Sequence, residues 1–377
     1  MILAAYFHDL SPFIVRISGD FGLRWYGFAY ASAFILSYFI LVRMGKSGLS
    51  LLKPHRVMDA MMYLVVGVVL GGRLGYLLFY DDNFHALRSF GGSFPWWGAL
   101  RLNEGGMSSH GGMIGVILAT FLISRGFKDQ DGVRRDPVPR LHLLDILAAV
   151  TPLGLCLGRL ANFINGELLG RIVAEPGQPA PWWSVKFPHE LTEFAYVRIS
   201  GTRAAPSYSP DQQAQINDIL HHYAPNAEDR YVAAKALLDL LHSASPATRA
   251  ELAAKLEPLV SARIPSQLLQ AAAEGPILAL ILWLIWRSPR VPGVIGCWFM
   301  ISYGILRILT EFWRLPDAHL LSPRILGLSR GQWLSAAMVA VGAVALPIVL
   351  ARAKRLNISP IAGWRPHHRP SSPTLRP

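Results

Sequence analysis

Long uncharged runs alternate with short charged ones along this chain, and the runs are of membrane-crossing length. From Trp25 to Val42 eighteen consecutive positions carry no charge, which matches the roughly 18 to 20 apolar residues a helix needs to cross a bilayer. Apolar segments with at most two charges each recur at about 57–80, 111–124, 141–162, 266–286, 291–312 and 333–350. The pattern predicts an all-α fold, a polytopic membrane protein with seven transmembrane helices.

The cations between these runs sort by side. Arg43, Lys46, Lys53 and Arg56 follow the first run, five cations and three acids lie from Arg125 to Arg140, and Arg287 and Arg290 follow the fifth. Basic loops stay cytoplasmic, so the N-terminus is expected outside and the C-terminus inside. Residues 1–23 place Asp9, Arg16 and Asp20 among short apolar runs and read as an interfacial arm, not a signal peptide. Residues 24–170 hold the first four spans. From 171 to 263 hydrophobicity falls, and leucines and alanines at helical spacing in Gln212–Tyr223, Glu228–His242 and Pro246–Ser261 predict a small helical extracytoplasmic insertion. Residues 264–352 hold the last three spans, and the basic, proline-rich 353–377 is expected to be a disordered cytoplasmic tail.

Composition agrees with this picture. Of 377 residues 52% are hydrophobic and only 16% charged, outside the soluble globular norm. The net charge of +12 is half accounted for by six basic and no acidic residues after position 351, so it marks a cytoplasmic tail and no nucleic-acid surface. Cys156 and Cys297 both fall inside apolar runs and imply no disulfide framework.

Candidate chemistry lies where polar residues intrude on the apolar runs. GRLANFINGELLGR, Gly158 to Arg171, sets Arg159, Asn162, Asn165 and Glu167 at the outer end of the fourth span. A charge at membrane depth costs roughly 2.5 to 3.5 kcal/mol on insertion scales, so these groups need partners or a task. Arg159 and Asn162, three apart, share a helix face, and Asn165, Gly166 and Gly170 predict that the helix breaks before Glu167. In the sixth span Arg307 and Glu311 are four apart and Arg314 three further on, so one face carries all three as a functional group or as a self-satisfied ion pair. Gly67, Gly71 and Gly75 recur every four residues and allow close helix contact. Arg73 lies within that stripe and either snorkels to the interface or binds a ligand. His110, between glycines at the start of the third span, is either a cap or a general base. Asp145 is expected to pair with a cation of the preceding loop. The string HELTE at His189 to Glu193 lacks the second histidine of a zinc-protease helix, and the adjacent His221 and His222 point to different helix faces, so no metal is implied. On the expected topology the three polar clusters all reach the outer leaflet, which argues against a transporter, whose charges would be spread through the bilayer.

Taken together, WYG at Trp25–Gly27, GGRLGY at Gly71–Tyr76, GGMSSHGGMIG at Gly105–Gly115, GRLANFINGELLGR and YGILRILTEFWRLPD at Tyr303–Asp317 resemble the prolipoprotein diacylglyceryl transferase family. The resemblance covers nearly the whole chain except the insertion and tail. It implies a seven-spanning enzyme of the bacterial cytoplasmic membrane, N-terminus outside and active site towards the outer leaflet. Such an enzyme moves a diacylglyceryl group from phosphatidylglycerol to the cysteine thiol of a prolipoprotein signal peptide bearing a lipobox. Its implied partners are those two substrates and membrane lipid, with no cofactor. It further implies that His110, Arg159, Asn162, Glu167, Arg307 and Glu311 are catalytic. Arg159, Arg307, Tyr26, Gly170, Arg73 and Tyr303 would bind substrate, with Glu167 and Glu311 orienting the arginines. An alternative is another membrane lipid transferase with a phospholipid or polyprenyl-phosphate donor. Two departures stand out: RIPSQLLQ at Arg263–Gln270 replaces a usual RHPSQLYE, so that Ile264, Leu269 and Gln270 stand for histidine, tyrosine and glutamate, and the insertion is longer than the resemblance leads one to expect.

Overall fold

The computed structural model describes residues 5–18, 21–79, 81, 85–91, 96–101, 106–193, 206–315, 327–361 and 363. Its helices are α1 (Trp25–Lys46), α2 (Val57–Phe79), α3 (His85–Arg88), α4 (Ser109–Ser124), α5 (Arg140–Ile164), α6 (Glu190–Glu193), α7 (Pro210–Tyr223), α8 (Arg230–Ser243), α9 (Pro246–Leu256), α10 (Ser266–Ala272), α11 (Leu278–Trp286), α12 (Val294–Glu311) and α13 (Arg330–Arg355). The strands are short: β1 (Tyr6–Phe7), β2 (Phe13–Ser18), β3 (Phe21–Arg24), β4 (Phe127–Lys128), β5 (Arg134–Arg135), β6 (Ile172–Ala174), β7 (Val185–Lys186) and β8 (Ala262–Arg263).

Six helical stretches among the described residues are long and apolar enough to cross a membrane, the fourth of them, Ser266–Trp286, formed by α10 and α11 with the segment between them. The chain is a multi-pass membrane protein. The third expected span is shorter than the rest: α4 has 16 residues, about 24 Å at ~1.5 Å per residue, against a hydrocarbon thickness of ~30 Å. The last helix runs beyond the expected end of its span to Arg355, and Ile361 exchanges backbone hydrogen bonds with Arg290 at 2.9 and 3.2 Å. The start of the expected tail is therefore ordered. Residues 364–377 lie outside the described residues.

The chain divides into two compact units. One comprises Met1–Ala33, Pro152–Ile281 and Phe299–Gly342. It corrects the all-α expectation, because β1, β7, β8 and β6 form a four-stranded sheet in that order. β1 lies parallel to β7, and β8 runs antiparallel to both β7 and β6. The N-terminal segment is thus part of the fold. His8, just after β1 and fully buried, hydrogen-bonds through Nε2 to the Phe163 carbonyl at 2.7 Å, near the end of α5. The insertion folds as the leucine spacing predicts, and Leu237, Leu241, Leu252, Ile216 and Val260 form its core. Its helices start at side-chain caps, a capping box of Ser209 and Gln212 on α7, Asp229 on α8 and Ser245 on α9, each satisfying amide donors that a helix start leaves unpaired.

The other unit comprises Phe34–Thr151, Leu282–Trp298 and Ala343–Pro377. Here the glycine stripe does what its spacing predicts. α2 and α4 approach so closely that a Cβ on Gly67 would lie 2.6 Å from the Gly115 carbonyl oxygen, and one on Gly75 would lie 2.7 Å from the Gly111 Cα. Among the described residues Asp145 finds no cation. Its carboxylate accepts from the backbone N–H of Gly293 at 2.6 Å and of Gly296 at 2.8 Å, so it caps the start of α12, where a helix end favours negative charge. Arg56 ties the basic loops together through Asp136 at 2.9 Å and through Asp129.

Candidate active site

The signature segment is shaped by its own residues. α5 ends at Ile164, and Gly166 and Leu168 take positive φ values of 66° and 59°. Glu167 therefore sits on irregular backbone held from outside. Gln267 donates from Nε2 to the Glu167 carbonyl, Ser266 Oγ to the Leu168 carbonyl at 2.9 Å, and Arg263 Nη1 to the Gly170 carbonyl at 3.1 Å. Arg263 is itself fully buried and ion-paired with Glu190 at 2.8 Å, and the same carboxylate accepts from the Ser261 amide at 2.8 Å. Glu190 belongs to the HELTE string, so that string has a structural task. Irregular backbone at membrane depth persists only where protein satisfies its polar groups, and these donors do so.

At its far end the segment pairs with the chain that leaves α12. The Leu315 amide donates to the Leu169 carbonyl at 3.0 Å and the Arg171 amide to the Trp313 carbonyl at 3.1 Å. Gly170 lies in this bridge opposite Arg314, and a Cβ there would run into the Ile264 carbonyl. Its requirement for glycine is thus met by backbone packing.

These tethers bring the two expected arginine clusters onto one carboxylate, Glu274. Arg159 donates to it from Nε at 2.9 Å and from Nη2 at 3.5 Å, and Arg307 Nε lies 3.8 Å from its other oxygen. Glu274 has no solvent exposure. Arg307 Nη1 also pairs with Glu311 at 2.8 Å, and Arg314 Nη1 lies 3.7 Å from the same oxygen. Tyr303 lies among them, beside Arg159. The backbone explains how a carboxylate reaches this position. Between α10 and α11 residues Ala273–Ile277 form a π-helical turn containing Pro276, which lacks the N–H that an α-helical ladder requires. Gly275 in that turn packs on Cys156, whose Cβ lies 2.6 Å from where a glycine Cβ would be. This close approach sets Glu274 beside the α5 face that carries Arg159.

Glu167 forms a second polar group. It accepts from the Tyr26 hydroxyl at 2.6 Å, from Asn162 at 3.4 Å and from Asn165 at 3.3 Å, and Asn162 also donates to the Tyr26 oxygen. The expected assignment of carboxylates is therefore half corrected. Glu311 pairs with Arg307, whereas Glu167 is held by neutral donors, and the carboxylate on Arg159 is Glu274. An acid inside a 21-residue apolar stretch was the signal that marked Glu274.

Two expected site residues fall in the other unit. Arg73 is buried and donates to the carbonyls of Ala99 at 2.7 Å, Gly98 at 2.6 Å and Gly106 at 2.9 Å, so it holds a loop where snorkelling was one expectation. His110 is the second residue of α4, and its side chain lies outside the described part of the structure. Gln270, one of the departures, is fully buried, and among the described residues neither amide atom has a hydrogen-bond partner. Among the described residues no group of three His, Cys, Asp or Glu is arranged to hold a metal ion.

Comparison with known proteins adds to this geometry. A family model described as prolipoprotein diacylglyceryl transferase matches residues 12–348. A phosphatidylglycerol–prolipoprotein diacylglyceryl transferase of Bdellovibrio bacteriovorus is 37% identical over 367 residues, covering 96% of this chain and 97% of that protein. Proteins of the same name from Neisseria gonorrhoeae and Paraburkholderia phymatum are 34% and 33% identical. The alignments cover 89% and 90% of this chain and 95% and 92% of those proteins.

Proposed function

The chain belongs to the prolipoprotein diacylglyceryl transferase family, and from that premise we propose that it transfers the diacylglyceryl group of phosphatidylglycerol to a prolipoprotein. The acceptor in this reading is the thiol of the lipobox cysteine. The observation that carries the reading is the convergence of Arg159 and Arg307 on the buried Glu274. Two guanidiniums fixed side by side by one carboxylate form a preorganised seat for a phosphodiester, because their forks match phosphate oxygens and water is largely kept out.

In the proposed reaction a sulfur–carbon bond forms at the terminal glyceryl carbon of the lipid while the bond from that carbon to the phosphate oxygen breaks. Its electron pair leaves with glycerol phosphate. A free thiol has a pKa near ~8.5, so little thiolate is present at neutral pH. The thiol proton goes to a base, the part that the family resemblance gives to His110. Arg159 and Arg307 stabilise the leaving phosphate, Glu274 and Glu311 hold them in register, and Tyr26, Asn162 and Glu167 line the signature turn as a hydrogen-bonding group for the glycerol hydroxyls. The protein is assigned to the bacterial cytoplasmic membrane, N-terminus outside, with α4 as a seventh, short span and this site towards the outer leaflet. The basic loops after α1 and α11 support that orientation.

The test is direct. Purified protein in vesicles of phosphatidylglycerol, given a lipobox peptide, is expected to yield a thioether-linked diacylglyceryl peptide by mass spectrometry, and Arg159→Ala or His110→Ala to lower the rate by roughly 100-fold or more. Undiminished product in both variants overturns the site assignment, and no product from the unaltered protein overturns the activity.

A further inference from the structure

Two adjacent tryptophans face outward in the loop between β6 and β7. Trp182 is 65% and Trp183 45% exposed. They occupy the middle of a tight turn, in which the Ser184 amide and hydroxyl both donate to the Pro181 carbonyl, at 3.0 and 2.6 Å. The surrounding run, Pro176 to Val185, reads PGQPAPWWSV and has no charge. Turn tips in water favour glycine, asparagine and aspartate. Two indoles at such a tip place an aromatic surface of some 150 to 250 Å² each where solvation gains nothing.

Strand register fixes where this tip lies within its unit. β8 ends at Arg263, and the membrane-crossing stretch begins at Ser266. β7 is antiparallel to β8 with Val185 opposite Arg263, so residues before Val185 lie past Arg263, towards the start of the span. The signature segment confirms the level. The Ile264 amide donates to the Arg171 carbonyl at 3.0 Å, and Arg171 is bonded in turn to Trp313, just after α12. Phe312 and Trp313 are also exposed, at 48% and 42%. The tryptophan turn thus comes down to the level at which α5 and α12 end and the Ser266 span begins.

Indole rings collect at the boundary between headgroups and hydrocarbon, with the apolar body in lipid and the N–H in the wet layer. We propose that the Pro181–Ser184 turn is an interfacial membrane anchor whose partner is the lipid headgroup layer at the signature end of the spans. Trp182 and Trp183 insert into that layer and hold the sheet and helical insertion down on it. The rigid, proline-flanked turn presents both rings without a large loss of chain entropy. No masking of a protein-binding surface is needed to account for their exposure.

The full-length protein in phosphatidylcholine vesicles tests this in two ways. A nitroxide at position 183 is expected to relax more with oxygen than with an aqueous nickel chelate, whereas one at exposed Glu251 on α9 shows the reverse. Because a nitroxide is itself apolar, the second measurement uses the native rings. The emission lost on changing Trp182 and Trp183 together to phenylalanine is expected to be quenched at least twofold by lipid brominated near the headgroup end of its chains. Equal nickel access at 183 and 251, or emission that brominated lipid leaves unquenched, overturns the anchor. So does emission that shifts only when a lipobox peptide is added, which would make the turn a peptide-binding surface.

Discussion

At the scale of single residues, the decisive feature is that one carboxylate serves two arginines. Removing Glu274 would leave the guanidiniums facing each other across a space of low polarity, where like charges repel strongly and breaking a buried pair by removing one partner typically costs about 3–5 kcal/mol. Glu274→Gln keeps the shape and some hydrogen bonding but loses the charge that holds the arginines together. Its turnover of phosphatidylglycerol is expected to fall about 100-fold, with a lowered thermal midpoint beside it, and activity within threefold of the unaltered protein would show that Glu274 is not a positioning group. Residue types alone made Arg159, Arg307 and Glu311 candidates, since charges in apolar runs are rare. The partner of Arg159 could not be read the same way. Glu274 is 115 positions away from it, and helical spacing reveals neighbours only three or four apart. The nearby Glu167 was the natural but wrong choice.

At the scale of elements, six of the seven expected spans and the insertion helices were legible because hydrophobicity and capping residues are local properties. Ser209, Asp229 and Ser245 stand where the chain needs amide acceptors. The sheet was hidden for the opposite reason. β1, β7 and β8 are two residues long, too short to show a two-residue period, and their pairing joins segments more than seventy positions apart. Glycines in α2 and α4 could be read in advance, and their contact yields a prediction. Gly115→Val places two methyl groups against the Gly67 backbone, so the helices must separate. The variant is expected to lose several degrees in thermal midpoint, whereas Gly112→Val, with nothing but a carbonyl oxygen at 3.8 Å, is expected to stay within about a degree or two. Equal midpoints for the two variants would show that close packing contributes nothing there.

At the scale of the whole molecule, the N-terminal arm and the insertion belong to the site's support. His8 after β1, His189 before α6 and His242 on α8 form a row, His8 edge-on to His189 and His189 stacked on His242, with ring centroids 5.6 and 5.5 Å apart. Each has a buried ring nitrogen with no hydrogen-bond partner. Burial keeps all three neutral, pulling His189 down to about 3 and His242 to about 4, and lowering His8 as well. An unfolded histidine takes up its proton near ~6.5. Between that pH and the folded values the unfolded state therefore binds more protons, so this stability is complete above about 6.5 and is lost progressively as the pH falls. The thermal midpoint is expected to drop from pH 6.5 to 5, a window in which ordinary carboxylates stay ionised, and His242→Phe is expected to flatten that slope. A slope identical in the variant would remove His242 from the account.

If Arg159 and Arg307 grip one phosphate as a unit, a double-mutant cycle on kcat/KM for phosphatidylglycerol reads their coupling. Groups that act together are far from additive. Arg159→Ala and Arg307→Ala are each expected to cost about 100-fold or more, and the double variant little beyond the worse single one. Losses that simply multiply, so that the double variant shows the product of the two single effects, would mean that the arginines act at separate places and would contradict the shared seat on Glu274.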